Sequence, residues 1–221
     1  MSEPIVVETK GLLFDMDGVL VSSIDSVRRS WRQWAKMYGV PDADNYEVPH
    51  GMRAIEIVKS LRPDIDSSEG LRVIEDIEVD DTDDLKVLPG VKVLLESLPV
   101  DKWAIVTSAT KRLTLARLKV AGLPVPERLI TADMVERGKP DPEPYRRGAE
   151  LLGLTSAECV VVEDAPSGVG AGKAAGSRVL GVQGTHTFEE LHQADWVVDS
   201  LVGVRIQSEA GSLEINFAPL N

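Results

Sequence analysis

Short apolar runs alternate with helix-like segments from Pro89 onward, and this alternation limits the possible folds most strongly. Strand-like runs lie at residues 103–106, 129–130, 159–162, 179–182 and 196–198. Between the first two runs, apolar residues recur at helical spacing at Leu113, Ala116 and Val120. Strands that alternate with helices form a parallel sheet covered on both faces. The chain is therefore predicted to belong to the α/β class, with a parallel-sheet core.

A long helical stretch separates the first predicted strand, Leu12 to Phe14, from this alternation. Apolar stripes at helical spacing predict three helices there: Ile24, Val27, Trp31, Trp34, Ala35 and Tyr38; Ala54, Ile57, Val58 and Leu61; and Leu71, Ile74 and Ile77. We interpret residues 21–84 as an inserted helical cap domain, and residues 1–20 and 85–221 as the core. The acidic residues of segment 64–84 are interpreted as a solvated face, because nothing focuses them on one point.

The two ends of the chain carry weaker patterns. Residues 1–10 are interpreted as a short lead-in to the first strand. Residues 204–217 are compatible with a hairpin that turns at Ala210 and Gly211, and the sequence assigns this hairpin no role.

The net charge of −12 at pH 7 argues against nucleic acid or an anionic membrane as a partner, because both would be repelled. The N-terminus lacks the basic-then-apolar pattern of a signal peptide, and no apolar run is long enough to span a bilayer. We therefore expect a cytoplasmic protein, either a monomer or a weak homodimer, that acts on a small molecule. The single cysteine, Cys159, lies in an apolar run and is expected to be buried.

Asp15, Asp17 and Gly18 follow the first strand directly. Residues i and i+2 of an extended segment point to the same side, so both carboxylates can face one spot. Two carboxylates that close repel each other unless a cation lies beside them, and Mg²⁺ prefers oxygen ligands. A simple polar turn is the alternative. An EF-hand loop is excluded, because Val19 and Ser26 stand where that loop needs an oxygen ligand and a bidentate Glu.

Four polar clusters sit at, or just beyond, the ends of predicted strands. Each has an ordinary explanation, such as a helix cap or a surface lysine. In open parallel sheets, however, ligands bind at the carboxyl ends of the strands. Together the clusters supply a nucleophile, metal ligands, anion donors and a cation, which phosphoryl transfer needs. The clusters are Asp15 and Asp17; Thr107 and Ser108; Lys139; and Glu163 and Asp164.

This chemistry assigns a role to each cluster. One aspartate attacks phosphorus to form an acyl phosphate, and the other protonates the leaving oxygen and later deprotonates water. Mg²⁺, held by Asp15, Asp164 and a nearby carbonyl, neutralises charge between nucleophile and phosphate. Lys139 and the hydroxyl of Thr107 stabilise the phosphoryl oxygens, with help from backbone N–H groups at a helix start.

These motifs resemble those of the haloacid dehalogenase superfamily, whose fold is a Rossmann-like core with a helical cap after the first motif. The segments 102–108, 138–142 and 162–166 are most similar to bacterial sugar phosphatases and to yeast phosphatases for glycerol phosphate and 2-deoxyglucose 6-phosphate. The resemblance implies that Asp15 is the nucleophile and that Asp17 is the general acid/base, which also gives its backbone carbonyl to Mg²⁺. Thr107 matches the second motif, Lys139 the third, and Glu163 with Asp164 the fourth, so both acids are candidate metal ligands.

One residue departs from the resemblance. Most phosphatases of this superfamily have Thr after the first-motif glycine, whereas this chain has Val19. β-Phosphoglucomutases share that valine, so a sugar-phosphate mutase is an alternative function. A receiver-type signalling domain is a less favoured one, because its acidic pair lies on a different strand from the phosphorylated aspartate and it has no cap.

The turn at His50, Gly51 and Arg53 opens a predicted cap helix. Its backbone N–H groups, imidazole and guanidinium could contact sugar hydroxyls or phosphate. Because the core offers the same chemistry to any phosphate ester, we expect this turn to help select the substrate. The alternative is an ordinary loop between cap helices.

Overall fold

The computed structural model describes residues 3–209 and 211–220. Within these ranges the helices are α1 (Ile24–Met37), α2 (Ala54–Leu61), α3 (Ser67–Asp80), α4 (Val91–Glu96), α5 (Lys111–Ala121), α6 (Glu143–Leu151) and α7 (Pro166–Ala175). The strands are β1 (Ile5–Thr9), β2 (Gly11–Phe14), β3 (Val21–Ser22), β4 (Lys86–Val87), β5 (Trp103–Val106), β6 (Leu129–Ile130), β7 (Cys159–Glu163), β8 (Arg178–Val182), β9 (Trp196–Val198), β10 (Arg205–Glu209) and β11 (Ser212–Phe217).

A six-stranded parallel sheet forms the core, in the order β6-β5-β2-β7-β8-β9. The predicted α/β class is confirmed. Strand β2 is central: Phe14 pairs with Ile105 of β5 on one side and with Val162 of β7 on the other. The carboxyl ends of these three strands therefore lie side by side.

The apolar runs form strands because both faces of this sheet are buried. Leu12 and Phe14 pack into the apolar cluster on one face, and Leu13 packs into the cluster on the other face. The same alternation holds in β7, where Val160 and Val161 point to opposite clusters. A shift of one residue in either strand would exchange the two faces, so packing fixes the register that aligns the strand ends.

Helices α1, α2 and α3 share a separate apolar cluster, which includes Trp31, Trp34, Ile57, Val58 and Ile74. The indole of Trp34 is fully buried and donates a hydrogen bond to the Gly70 carbonyl, which ties α1 to α3. A short antiparallel ribbon of β3 and β4 joins these helices to the core. The ribbon strands lie at residues 21–22 and 86–87, and the division of the chain into a cap at residues 21–84 and a core stays a prediction.

The outer part of the core differs from the sequence prediction at its N-terminus and agrees with it at its C-terminus. The prediction of a lead-in at residues 1–10 was wrong, because Ile5–Thr9 forms strand β1 and pairs with β11. The predicted C-terminal hairpin is confirmed as the antiparallel pair β10–β11, although its predicted turn residue Ala210 lies outside the described residues. These three strands form a second sheet packed against the core cluster through Val7, Leu213 and Ile215.

Two side-chain assignments on the helices were also wrong. Val120 was placed on the packed stripe of α5 and is 47% exposed, whereas Arg117 on the same helix is buried. Among the acids of segment 64–84, Glu78 is buried rather than solvated. No helix in the described part of the chain combines the length and apolar character needed to cross a membrane.

Candidate active site

The carboxyl ends of the central strands bring together most of the residues singled out by sequence. Asp15 directly follows β2, and its N–H donates to the Val162 carbonyl of β7 at 3.0 Å. Glu163 is the last residue of β7, and Asp164 follows it. The fourth member, Lys139, comes from the loop before α6, which packs against β2 and β5. Strand register and helix packing thus place three carboxyl groups and one ammonium at one point.

Lys139 lies at the centre of this group, with its side chain fully buried. Its Nζ donates to Asp15 Oδ1 at 2.8 Å, to Glu163 Oε1 at 2.7 Å and to the Val106 carbonyl at 3.1 Å. Burial lowers the pKa of Lys139, but the two carboxylates outweigh burial and raise it above its usual range. The ammonium is therefore charged at any physiological pH, and it holds Asp15 by one carboxylate oxygen.

Glu163 is fully engaged by hydrogen bonds. Its Oε1 accepts from Lys139 and, at 2.8 Å, from the hydroxyl of Tyr145. The other oxygen, Oε2, accepts from the backbone N–H groups of Asp164 at 2.9 Å and Ala165 at 3.1 Å. Such a saturated carboxylate fixes Lys139 and the strand end rather than offering a free oxygen. Sequence reasoning missed Tyr145 as a member of this network, because its position on an apolar helix stripe indicated packing only.

Ligand oxygens of Asp15, Glu163 and Asp164 lie within 4.8 Å of one another. All three carboxyl groups are buried, and Lys139 is the cation that contacts two of them. Burial raises the pKa of Asp15 to about 7, against the lowering effect of Lys139. Burial also raises the pKa of Asp164 well above its usual value, and neighbouring Glu163 adds to this shift. Three carboxyl groups share one ammonium, so the cluster has too little positive charge to balance them, and its oxygen donors suit a hard divalent cation.

Gly18 is required where the chain passes this cluster. Its φ is +83°, and a Cβ added there would lie 1.9 Å from Asp164 Oδ2. The main chain after Asp17 therefore approaches the Asp164 carboxylate closely, which a larger residue would prevent. The Thr185 hydroxyl donates to this same oxygen, Asp164 Oδ2.

The Asp17 carboxylate is not one of the three clustered carboxyl groups, but it lines the same solvent-open cavity of about 800 Å³ as Asp15 and Asp164. Its Oδ1 accepts from the Ser23 hydroxyl at 2.6 Å, and its Oδ2 accepts from Arg117 Nη1 at 2.7 Å. The cavity lies between the strand ends and helices α1 to α3, with Asp15, Thr107 and Asp164 among its core residues. Thr107 is buried beneath it, and its hydroxyl accepts from the N–H of Ala109.

A family model for haloacid dehalogenase-like hydrolases matches residues 9–176, which include all the clusters at the strand ends. The chain belongs to this hydrolase family. Its relatives include hexitol phosphatase A of Escherichia coli, which is 40% identical over 205 residues covering 90% of this chain and 95% of that protein. Glycerol-1-phosphate phosphohydrolase 2 of Saccharomyces cerevisiae is 32% identical over 219 residues, covering 93% and 88%. The predicted resemblance is confirmed.

Solved structures share the fold. A hydrolase from Pseudomonas syringae aligns with a TM-score of 0.78 and 26% identity, covering 87% of this chain and 94% of that one. The Rossmann-like core with inserted helices, expected from the resemblance, is therefore confirmed as well.

In the present chain, the turn before α2 contacts the core through its main chain. The Gly51 carbonyl accepts from the Ser108 hydroxyl at 2.6 Å, and the His50 carbonyl accepts from Ser167 at 3.2 Å. Both His50 and Gly51 line the cavity. Burial lowers the pKa of His50, and neighbouring His186 adds to the effect. The predicted turn thus reaches the site. The Ser108 hydroxyl binds this turn and does not point freely into the cavity.

Arg53 is not brought to the cavity. Its guanidinium donates to the carbonyls of Val135 and Glu136, each at 2.9 Å, and to the Glu56 carboxylate. These contacts fasten the start of α2 to the loop that precedes Lys139. Arg53 therefore links helix α2 to the loop at Val135 and Glu136, a contact that a sequence pattern alone does not reveal.

Proposed function

We propose that this chain is a Mg²⁺-dependent phosphatase that hydrolyses small sugar or polyol phosphates through an aspartyl phosphate on Asp15. The observation that carries the proposal is the Asp15 carboxylate, held by Lys139 inside a buried carboxylate cluster at the base of an open cavity. The two curated relatives described above, which are named as phosphatases of hexitol and glycerol phosphates, support the substrate class.

In the first half-reaction, a carboxylate oxygen of Asp15 attacks phosphorus, and the bond from phosphorus to the alcohol oxygen breaks. Asp17 gives its proton to the leaving alcohol. In the second half-reaction, Asp17 takes a proton from water, whose oxygen attacks phosphorus and displaces Asp15, releasing inorganic phosphate. Lys139 and Thr107 are the groups that offset charge on the phosphoryl oxygens.

Asp15, Asp164 and the backbone carbonyl of Asp17 are the proposed Mg²⁺ ligands. The metal would neutralise charge between the nucleophile and the phosphate. Glu163, a candidate ligand by sequence, has the different role of orienting Lys139, because both of its oxygens already accept hydrogen bonds. We further propose that residues 21–84 act as the lid, since α1 to α3 form the wall opposite the strand ends.

The charge of the cavity favours a phosphatase over a mutase. Among the described residues that line the cavity, the only Lys or Arg is Arg117. Its guanidinium already binds Asp17 and Glu78. Glu75 and Glu78 add carboxyl groups to the same wall. Such a wall offers oxygen acceptors to hydroxyl groups, but among its described residues it has no unpaired Lys or Arg for the second phosphate that a mutase must hold. Val19, which suggested a mutase, packs in the apolar core.

Phosphate release from a panel of sugar and polyol phosphates tests the proposal. We expect turnover with Mg²⁺, none in excess EDTA, and none for Asp15→Asn, which keeps the shape of the side chain and an oxygen for Lys139. Asp199→Asn, at an exposed position, is the matched control and retains activity. Activity of Asp15→Asn equal to wild type would refute the proposal.

A second assay decides between phosphatase and mutase. The protein is incubated with glucose 1-phosphate and glucose 1,6-bisphosphate. Rapid formation of glucose 6-phosphate with little free phosphate would support the mutase instead.

A further inference from the structure

Arg117 on α5 joins Asp17 to the cap. Its Nη1 donates to Asp17 Oδ2 at 2.7 Å, and its Nη2 donates to Glu78 Oε1 at 3.1 Å. Glu78 belongs to α3, on the other side of the cavity from the sheet. One guanidinium therefore bridges the carboxylate assigned to proton transfer and a helix of the lid.

Stability alone does not account for this arginine. Arg117 and Glu78 are both buried, and Arg117 Nε is buried without a hydrogen-bond partner among the described residues. Burial also raises the pKa of Glu78 to about 7 despite the nearby guanidinium. Buried ion pairs are often no more stable than apolar residues of the same size, and an unsatisfied buried donor adds a further cost. A role beyond packing would account for an arginine in such a place.

Asp17 is fixed at both oxygens, because Ser23 holds Oδ1 and Arg117 holds Oδ2. Ser23 precedes α1 and lies next to the ribbon that leads into the lid. The orientation of the Asp17 carboxylate thus depends on two contacts, and one of them depends in turn on α3.

We propose that Arg117 is a positioning residue that orients Asp17 for proton transfer, and that Glu78 of the lid holds Arg117 in the position that does so. The inference rests on the proposed function, because it takes Asp17 as the group that protonates the leaving alcohol. It adds a physical link between the seating of the lid and the readiness of the proton donor.

The test compares two substrates that differ in their need for a proton. The leaving group of a polyol phosphate is an alcohol, which needs a proton to depart. The leaving group of p-nitrophenyl phosphate is p-nitrophenolate, a stable anion that does not. The constant kcat/KM reports the steps up to release of the leaving group. For Arg117→Met we expect kcat/KM to fall by about 10²-fold with the polyol phosphate, since a misplaced catalytic group costs about that much. The loss with p-nitrophenyl phosphate should be much smaller.

Two further variants separate positioning from stability. Arg117→Met with Glu78→Leu removes the pair without leaving a buried charge, so it keeps the fold and should show the same selective loss. Arg117→Lys keeps a cation and should recover part of the activity.

Arg112→Met is the matched control, because Arg112 joins the same two helices through Glu75 and Asp76 without contacting Asp17. Arg112→Met should change kcat/KM little for either substrate. Three results would overturn the inference. Arg117→Met could lose equally on both substrates, Arg112→Met could lose as much as Arg117→Met, or Arg117→Met could keep full activity. Wild-type protein without activity on either substrate would instead overturn the proposed function, and this inference with it.

Discussion

Replacing Lys139 by methionine removes the buried cation at the centre of the site. Its Nζ lies 2.8 Å from Asp15 Oδ1 and 2.7 Å from Glu163 Oε1, and its side chain has no exposed surface. Removing one partner of a buried ion pair costs about 3–5 kcal/mol, because the remaining charge is uncompensated. Since two carboxylates lose their partner here, we expect the free energy of unfolding to fall by about 5 kcal/mol at neutral pH.

The loss of unfolding free energy in Lys139→Met should grow as the pH rises above 7. Lys139 lowers the pKa of Asp15, which is about 7 in the wild type, so without Lys139 this pKa lies higher. Above pH 7 the folded variant then holds a proton that the folded wild type and both unfolded chains have released. The variant therefore loses about 1.4 kcal/mol more per pH unit than the wild type in that range.

Urea unfolding in EDTA, followed by tryptophan fluorescence at several pH values, measures both effects. EDTA is needed because a bound cation would replace part of the missing charge. Lys173→Met is the matched control: Lys173 pairs with Asp195 near the surface, and its loss should cost no more than about 1 kcal/mol at any pH. A Lys139→Met deficit no larger than that of the control, or one that stays constant with pH, would refute this reasoning.

Other variants probe the surrounding contacts. Glu78→Gln removes a buried carboxyl group whose pKa burial raises from 4.5 to about 7. Between these two pKa values the folded wild type holds a proton that the unfolded chain has released. In urea titrations, the free energy of unfolding of the wild type should therefore fall by about 3 kcal/mol relative to that of the variant from about pH 5 to pH 7. A difference between the two proteins that does not change with pH would contradict the shift. Tyr145→Phe removes a donor to Glu163 and should cost about 1–3 kcal/mol in the same assay; no loss would mean that the hydroxyl is dispensable. Arg53→Met cuts two contacts to core carbonyls, so kcat/KM should fall equally for sugar phosphates and p-nitrophenyl phosphate; a loss confined to sugar phosphates would place Arg53 at the substrate.

The central strands and the acidic strand end could be predicted because local sequence dictates them. A strand buried on both faces must be apolar throughout, as Leu12 to Phe14 are, and the first polar residues then mark its end. The parallel arrangement follows from the alternation with helices, and it brings distant strand ends to one edge. Even so, sequence alone predicts only that Lys139 and Asp15 approach; the 2.8 Å contact is a result of packing.

Features that depend on distant partners were missed. In strand β1, Val7 and Thr9 are buried and Val6 is exposed, but its sequence starts with three apolar residues and does not show this alternation, and its partner β11 lies about 200 residues further along the chain. Arg117 shares one stripe of α5 with Leu113 and Ala121, at spacings of four residues, so a charged residue on a buried stripe was the available signal. Its partner Glu78 could not be distinguished from the other acids of α3 without the fold.

Capture of the phosphorylated protein tests the central claim most directly. Wild-type protein is mixed with Mg²⁺ and a substrate labelled in the phosphoryl group, quenched in acid within a turnover, and digested. We expect a label that hydroxylamine releases, located on the peptide that contains Asp15, and absent from Asp15→Asn. Asp17→Asn should slow both formation and breakdown of the labelled species. A label on another residue, or efficient turnover of an alkyl phosphate with no covalent label at any quench time, would contradict the account.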